Sequence, residues 1–380
     1  MALTDKSSIV VPRRPFAKAG VLQGFNPTKD ANGNITGQLV DFDVTRNTTA
    51  TRINEQGLIE NVAANVPRRD FLNGGCGELL VEPQRTNFWV GSEGTDIVLN
   101  SPRGEFSFYT LNNNNVTRTI SYAGDITFTF IVKKTDGTVP TISNSNGNGD
   151  LVVFVSGGSG AGTSGTLTNI GNGFYFFKLL ISANGSSIAR IQNNSGVDTF
   201  VSLIQYEQGE YPTSYIPTTA SAVTRNQDVI SATNIGSLLN DAEGGLYVKA
   251  SVFSKTQNMM LSLSDDTLDN RLIFFIKVDN TILNNVRADG SSVFSVKKNG
   301  YNINQVFNLA CKYAQNNFSY YVNGSKVGAS VLGNTFANGT LNSLKFGNFN
   351  GGFPFYGRIS ELIVFNNAPT DSELQTLTTP

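Results

Sequence analysis

The 380-residue chain contains no histidine. That removes the commonest general base and the commonest metal ligand, so Ser-His-Asp and Cys-His nucleophiles, zincin sites and two-histidine iron sites are excluded within the chain. Any catalysis would have to run on carboxylates, lysine or tyrosine. Cysteine is almost as scarce: Cys76 and Cys311 lie far apart and neither belongs to a CxxC, so both read as free thiols and not as a disulfide or metal framework. Charged residues make up 15% of the chain, against roughly a quarter in ordinary soluble domains. With 28 Lys+Arg against 29 Asp+Glu, interspersed, there is no basic field to hold a phosphate backbone, and no nucleic-acid partner is expected. No apolar run approaches the ~18 residues of a membrane-spanning helix, and residues 1–14 hold no apolar signal core. The expectation is a chain made in the cytoplasm, not secreted, with no membrane insertion.

What the chain has instead is 38 glycines, 26 phenylalanines and 12 tyrosines, with a polar surface drawn from Asn, Thr, Ser and Gly. Between about 105 and 210, β-branched and aromatic runs (126–133, 151–155, 174–181, 188–192, 200–206) alternate with Gly/Asn/Ser clusters, the pattern of a β-sandwich. A second series (246–253, 259–263, 272–278, 292–296, 306–313, 318–322, 343–346, 359–365) gives the strand number of a jelly roll. Residues 226–244 carry no long β run, and one helical turn is expected over 235–240. Thr370-Asp371-Ser372-Glu373 fits a capping box, with Leu374 and Leu377 as an apolar stripe, so a short C-terminal helix is predicted. The fold class is therefore all-β: two sandwich or jelly-roll domains in tandem after an irregular N-terminal segment. The boundaries fall at 1–44 for an attachment or oligomerisation segment, 45–228 for the first sandwich, 229–244 for a linker and 245–380 for the jelly roll.

Several motifs suggest chemistry that their surroundings do not support. Asp30-Ala31-Asn32-Gly33-Asn34 begins like a calcium loop, but the sixth and twelfth positions, which require Gly and Glu, hold Ile35 and Asp41, leaving a structural turn. Residues 160–165 spell GxGxxG, yet the following TLTNIGNGFYFF reads as strand where a phosphate site needs a helix N-terminus. The E-x-D-x-E strand of sandwich glucanases is absent; Glu55 and Glu60, or Glu207 and Glu210, sit in turn-like contexts, and Glu361 stands alone beside an apolar strand. The densest acidic loop holds Asp265, Asp266, Asp269 and Asn270. These are hard oxygen ligands of the kind calcium takes, or the solvated tip of a hairpin; both readings stand. Trp89, Tyr211, Tyr215, Phe349, Phe353 and Phe355 are either core or sugar-stacking aromatics. Among them Phe349-Asn350-Gly351-Gly352-Phe353 is the candidate ligand-binding loop, because paired glycines let a ligand approach the backbone.

Two resemblances follow from particular residues. The hairpin Tyr321-Val322-Asn323-Gly324, the strand Phe355-Tyr356-Gly357-Arg358-Ile359 and the acidic terminal helix resemble the laminin-G-like, concanavalin-A-like lectin/glucanase jelly roll, although that family's usual Trp-His pair before the hairpin is replaced here by Val306-Phe307-Asn308. The segments TATRINEQGLIENVAANVPRRDF, GELLVEPQRTNFW and QYEQGEYPTSYIPTTASAVTRNQD resemble the framing motifs of tailed-bacteriophage virion proteins, where they bracket a carbohydrate-binding-module-like sandwich. Those proteins serve as fibres, spikes or receptor-binding components. The resemblance implies a non-enzymatic head- or tail-fibre protein on the virion surface, a homo-oligomer with a trimer favoured, contacting other virion proteins and host-surface polysaccharide. A tail-spike depolymerase with paired carboxylates and a purely structural decoration protein are the alternatives it leaves.

Overall fold

The computed structural model describes residues 7–11, 16–18, 21–29, 32, 35–144, 149–156, 158–159, 165–254, 259–348 and 350–380. In these residues the chain is almost wholly strand, with one short helix at its C-terminus, as the all-β reading expects. The asparagine-rich composition is largely a turn composition. Asn113, Asn172, Asn280 and Asn323 are among the asparagines held at positive φ, a conformation that their short polar side chains tolerate better than other non-glycine residues. Two compact units emerge: unit 1 comprises Met1–Asn47, Ala64–Pro83 and Gln227–Pro380, and unit 2 comprises Thr48–Ala63 and Gln84–Asn226.

Unit 1 is the jelly roll. One sheet runs through Ser325–Ser330, Phe318–Val322, Phe307–Ala314, Glu243–Val252 and Gly357–Phe365, all antiparallel. The other runs through Ser291–Asn299, Thr281–Ala288, Arg271–Ile276, Met259–Ser264, Ser343–Lys345, Val229–Ala232 and Ile35–Thr45. Val21–Lys29 pairs with Ile35–Thr45 and, through Val10↔Phe25, with Ser7–Val11, so hydrogen bonding continues from one sheet into the other. Alternate residues fill the space between: Leu246, Val248 and Ala250 meet Leu261, Leu263, Leu272 and Phe274 in one core, and the period of two turns the intervening residues to the opposite face of each sheet.

This arrangement differs from the tandem order expected from sequence. The described part of the 1–44 segment does not stand apart: Ser7–Val11 pairs with Gly357–Phe365, and Ile9, Leu22 and Phe42 lie in the jelly-roll core. Glu78–Val81 also joins that sheet, against Gly357–Ile359, and the stretch 229–244 contains a strand, Val229–Ala232, between Ile35–Thr45 and Ser343–Lys345. The jelly roll beginning near 245 is thus completed by residues that precede the first sandwich. The physical reason is local: four-residue strands such as Val229–Ala232 are too short to show a period. The helical turn expected over 235–240 is a single 3-10 turn, Gly236–Leu238.

Unit 2 is built on two long strands, Asn115–Lys134 and Phe174–Asn193, in register from Asn115↔Gln192 to Val132↔Tyr175. Its core holds Trp89, Phe128, Phe130, Phe177 and Tyr206, with Trp89 stacked on Phe128 at 5.5 Å.

A group of four charges inside unit 1 lies wholly out of solvent. Arg46 Nη1 donates to Asp228 Oδ1 at 2.8 Å, Arg68 Nη1 donates to Glu82 Oε2 at 2.6 Å, and Arg68 Nη2 bonds the second Asp228 oxygen. The Glu82 backbone N–H adds a 2.8 Å bond to that oxygen, and Arg46 also reaches the Val66 carbonyl at 3.0 Å. Two cations balance two anions. Burial alone would lower the Arg68 pKa, but Asp228 and Glu82 outweigh it and raise it.

The C-terminal helix, Asp371–Thr378, carries the expected capping box: Thr370 Oγ1 accepts from Glu373 N at 3.2 Å and Glu373 Oε2 accepts from Thr370 N at 2.7 Å. It docks through Leu374 and Leu377 against Tyr247, Ala310, Tyr321 and Ile363. At its first turn Asp371 accepts from Lys312 at 2.8 Å, from Ser319 at 2.9 Å and from Lys326. Burial pushes the Asp371 carboxyl up, but these donors prevail and hold it well below the ordinary carboxylate range.

Two outcomes are expected. Replacing Asp228 by Ala leaves two buried guanidinium groups facing the single carboxylate of Glu82 and lowers unfolding stability by about 3–5 kcal/mol; a denaturant midpoint corresponding to a loss under about 1 kcal/mol would contradict the network's role. Asp371, titrating lower in the folded chain than its ordinary value near about 4, stabilises the fold above that pH and loses its contribution as pH falls through the folded value. Because the side chain is 42% exposed, the effect is about 1 kcal/mol at most, and it should vanish in Asp371→Asn when thermal unfolding is followed from neutral to acid pH.

Candidate functional site

The acidic loop between Met259–Ser264 and Arg271–Ile276 uses its oxygens internally. Asp265 Oδ1 accepts from the Thr267 amide at 2.9 Å and hydroxyl at 2.6 Å, and its Oδ2 accepts from Asn270 Nδ2 at 2.9 Å. Asp266 Oδ1 pairs with Lys345 at 2.9 Å and accepts from the Ser343 hydroxyl. Asn270 Oδ1 accepts from the Asp289 amide at 2.9 Å, and the Asp269 carbonyl accepts from Gly290 N at 3.1 Å, which ties the loop to the next hairpin turn. Asp265, Asp266, Asp269 and Asn270 therefore organise a hairpin tip and do not converge on one point. Among the described residues no group of three or more His, Cys, Asp or Glu is placed to hold a metal, and the calcium expectation has no ligand set behind it.

The 349–353 loop divides similarly. Phe349 lies outside the described residues. Asn350 N and Gly352 N donate to the side chains of Asn348 and Asn350, and Gly351 takes a positive φ of 82°. Phe353 is 44% exposed, packs edge-on against Phe275 at 5.2 Å, and passes its carbonyl to Met260 N at 2.9 Å. Of the other aromatics, Trp89 and Phe355 are buried in core, Tyr211 lies under Arg85 at 5.1 Å, and Tyr215 bonds Ser92 Oγ at 2.5 Å, with burial pushing its phenol up.

The framing motifs, the most distinctive text in the sequence, are also consumed internally. In unit 2, Glu207 is buried and accepts from Thr213 N at 2.8 Å, Thr213 Oγ1 at 2.6 Å and Gln205 Nε2 at 2.9 Å. Asn87 donates to the Ile204 and Ile216 carbonyls while its oxygen accepts from Trp89 N and Tyr206 N. The Glu207 and Asn87 side chains are thus both partnered inside the protein, as burial of such groups requires. Of the carboxylates weighed for catalysis, Glu207 is held in this way, Glu60 pairs with Arg52 at 3.1 Å, and Glu361 stands across the ladder from Lys249.

The non-core side of the second unit 1 sheet is partly covered: Met260, Ser262, Ser264, Ile273, Asn285 and Ser343 are buried on it, while Arg271, Phe275, Leu283, Arg287 and Lys345 are half-buried and Ser292 is exposed. Register sets Ser343, Ser264, Arg271, Arg287 and Ser292 side by side across five strands. The next row of the same face holds Lys345, Ser262, Ile273 and Asn285, and the row beyond it Met260, Phe275 and Leu283, next to Phe353. One end is thus cationic and hydroxyl-rich and the other aromatic. Polar groups that fix orientation beside an apolar, partly aromatic floor are the usual make-up of a ligand site. Sequence reasoning found Phe353 and passed over Arg271 and Arg287; the available signal was the period of two in RLIFFI, which puts Arg271 on the side opposite Leu272, Phe274 and Ile276.

Residues 245–375 match the family model of the concanavalin A-like lectin/glucanases superfamily, in keeping with the jelly roll just described. No curated protein matches the chain. Among solved structures, the CBM40 of the Ruminococcus gnavus IT-sialidase, bound to alpha2,3 sialyllactose, is 17% identical, with a TM-score of 0.33, over 37% of this chain and 84% of that one. The NanB sialidase of Streptococcus pneumoniae is 19% identical, with a TM-score of 0.32, over 40% of this chain and 27% of that one. Domain 4 of AbnA, an arabinanase of Geobacillus stearothermophilus in complex with arabinotriose, is 15% identical, with a TM-score of 0.29, over 45% of this chain and 84% of that one.

Since the acidic loop satisfies its own oxygens, saturating calcium and a chelator should give the same melting temperature. An ion bound at a hundred times its dissociation constant would add about 2.7 kcal/mol and move the midpoint clearly, which would restore the metal reading.

Proposed function

We propose that the chain is a non-enzymatic fibre protein on the surface of a tailed-phage virion, attaching the particle to host-surface glycans through the exposed part of the non-core sheet face of unit 1. The observation that carries this reading is the make-up of that face, where Phe353 and Phe275 offer an apolar surface for a sugar ring, and the part-exposed Arg271 and Arg287 with the exposed Ser292 offer polar groups for its substituents. The concanavalin A-like match over 245–375 supports a lectin-like module, and the resemblance of the framing segments to phage virion proteins supports the setting. Binding without catalysis is favoured because Glu207 is buried and hydrogen-bonded and Glu60 is taken up in a surface pair with Arg52. The trimer implied by that resemblance, held with other virion proteins, would present several weak sites together and gain strength by avidity.

The full chain tested on host cells and a glycan array should bind, as a trimer in solution, without shortening the polysaccharide. Phe353→Ala should weaken binding about three- to tenfold at unchanged melting temperature, the loss of one aromatic contact. A folded oligomer that binds neither cells nor any glycan would contradict the proposal, and cleavage of the polysaccharide would favour the depolymerase alternative.

A further inference from the structure

We infer that the glycan held on this face is acidic, with its carboxylate seated against Arg271 and Arg287. The inference rests on the reading of this face as a glycan site and adds the class of ligand to it. Arg271 and Arg287 are directly opposed cross-strand neighbours, and side chains so placed stand on the same face with their Cβ atoms about 5 Å apart. Like charges in that position destabilise a sheet. Elsewhere unit 1 does not leave such charges alone: Arg46, Arg68 and Arg358 each meet a carboxylate, at 2.8 Å from Asp228, 2.6 Å from Glu82 and 2.5 Å from Asp70. On the same face, Lys345 is likewise matched by Asp266 at 2.9 Å.

The arginine pair has no such match. Among the described residues the Arg271 side chain donates no hydrogen bond, that of Arg287 donates to the neutral Gly290 carbonyl, and the Nε atoms of both are shielded from solvent without a partner, Asp269 acting on Arg271 without bonding to it. Burial, and after it the charge of Arg287, lowers the Arg271 pKa, with Asp269 opposing. A planar carboxylate fits two guanidinium forks by paired N–H···O bonds, which no sugar hydroxyl can do. Ser292 stands next to Arg287 in the same row, exposed, and supplies a hydroxyl for the rest of the ring, whereas the Ser264 and Ser343 hydroxyls of that row are buried and bonded within the protein.

The test uses the full chain on an array carrying neutral glycans beside their carboxylated counterparts, with dextran sulfate as a probe of charge alone and melting temperature as the control for folding. Carboxylated glycans should bind and their carboxyl-reduced forms should lose about tenfold or more. Arg271→Gln and Arg287→Gln should each lose a similar factor while melting stays unchanged or rises, since removing one charge relieves the repulsion. Neutral glycans binding as well as acidic ones, with both variants unaffected, would overturn the carboxylate assignment and leave glycan binding standing. Dextran sulfate binding as tightly as the carboxylated glycans, with the same dependence on both arginines, would also overturn it. No binding to any glycan would overturn both readings.

Discussion

Unit 1 is assembled from three separated stretches of chain, and the buried charges Arg46, Arg68, Glu82 and Asp228 draw on all three. Arg46 and Asp228 lie directly beyond the strand pair Thr45↔Val229, so their bond closes the end of that ladder. From there the sheet continues by hydrogen bonding through Val229–Ala232 to Ser343–Lys345 and on to Met259–Ser264 and Arg271–Ile276. A slip of one residue at Val229 would send every side chain of that strand to the wrong face. Such a network is no proof of net stability, because desolvation offsets much of the attraction. What it imposes is completeness, since any one of the four charges without the others is severely penalised in the interior.

The same rule gives the non-core face its meaning. Where the fold buries a guanidinium for structural reasons it provides a carboxylate within hydrogen-bonding distance, and it does so at Arg46, Arg68 and Arg358. At Arg271 and Arg287 it instead opposes two cations across a ladder, and the one side-chain bond they make goes to a neutral carbonyl. Departures from local consistency concentrate where a protein meets a partner, and here the departure sits on the face of a lectin-like sandwich that the core does not use.

Much of the fold was legible in the sequence because long β-branched and aromatic runs such as ITFTFIVK and LIFFIKV leave little alternative. Thr281–Ala288 was not, because TILNNVRA interrupts its apolar alternation with Asn284, which is buried and donates to the Ile273 carbonyl at 3.1 Å. The runs 174–181 and 188–192 proved to be one strand, since the turn-like text Asn184-Gly185-Ser186-Ser187 continues the ladder with Gly185 at φ 113° opposite Tyr122. The buried network escaped sequence reading because its members lie up to 182 positions apart. The proposed site was half legible. Phe353 announced itself by its glycine-rich loop, whereas the arginine pair exists only through the register of two strands, one of which the sequence had hidden.

The most direct measurement is a crystal structure of the full chain with oligosaccharides released from the host surface polysaccharide. The account expects sugar density along the Met259–Ser264, Arg271–Ile276 and Thr281–Ala288 strands, with a carboxylate against Arg271 and Arg287 and a ring against Phe353. Sugar bound only in unit 2, or on unit 1 away from this face, would contradict it.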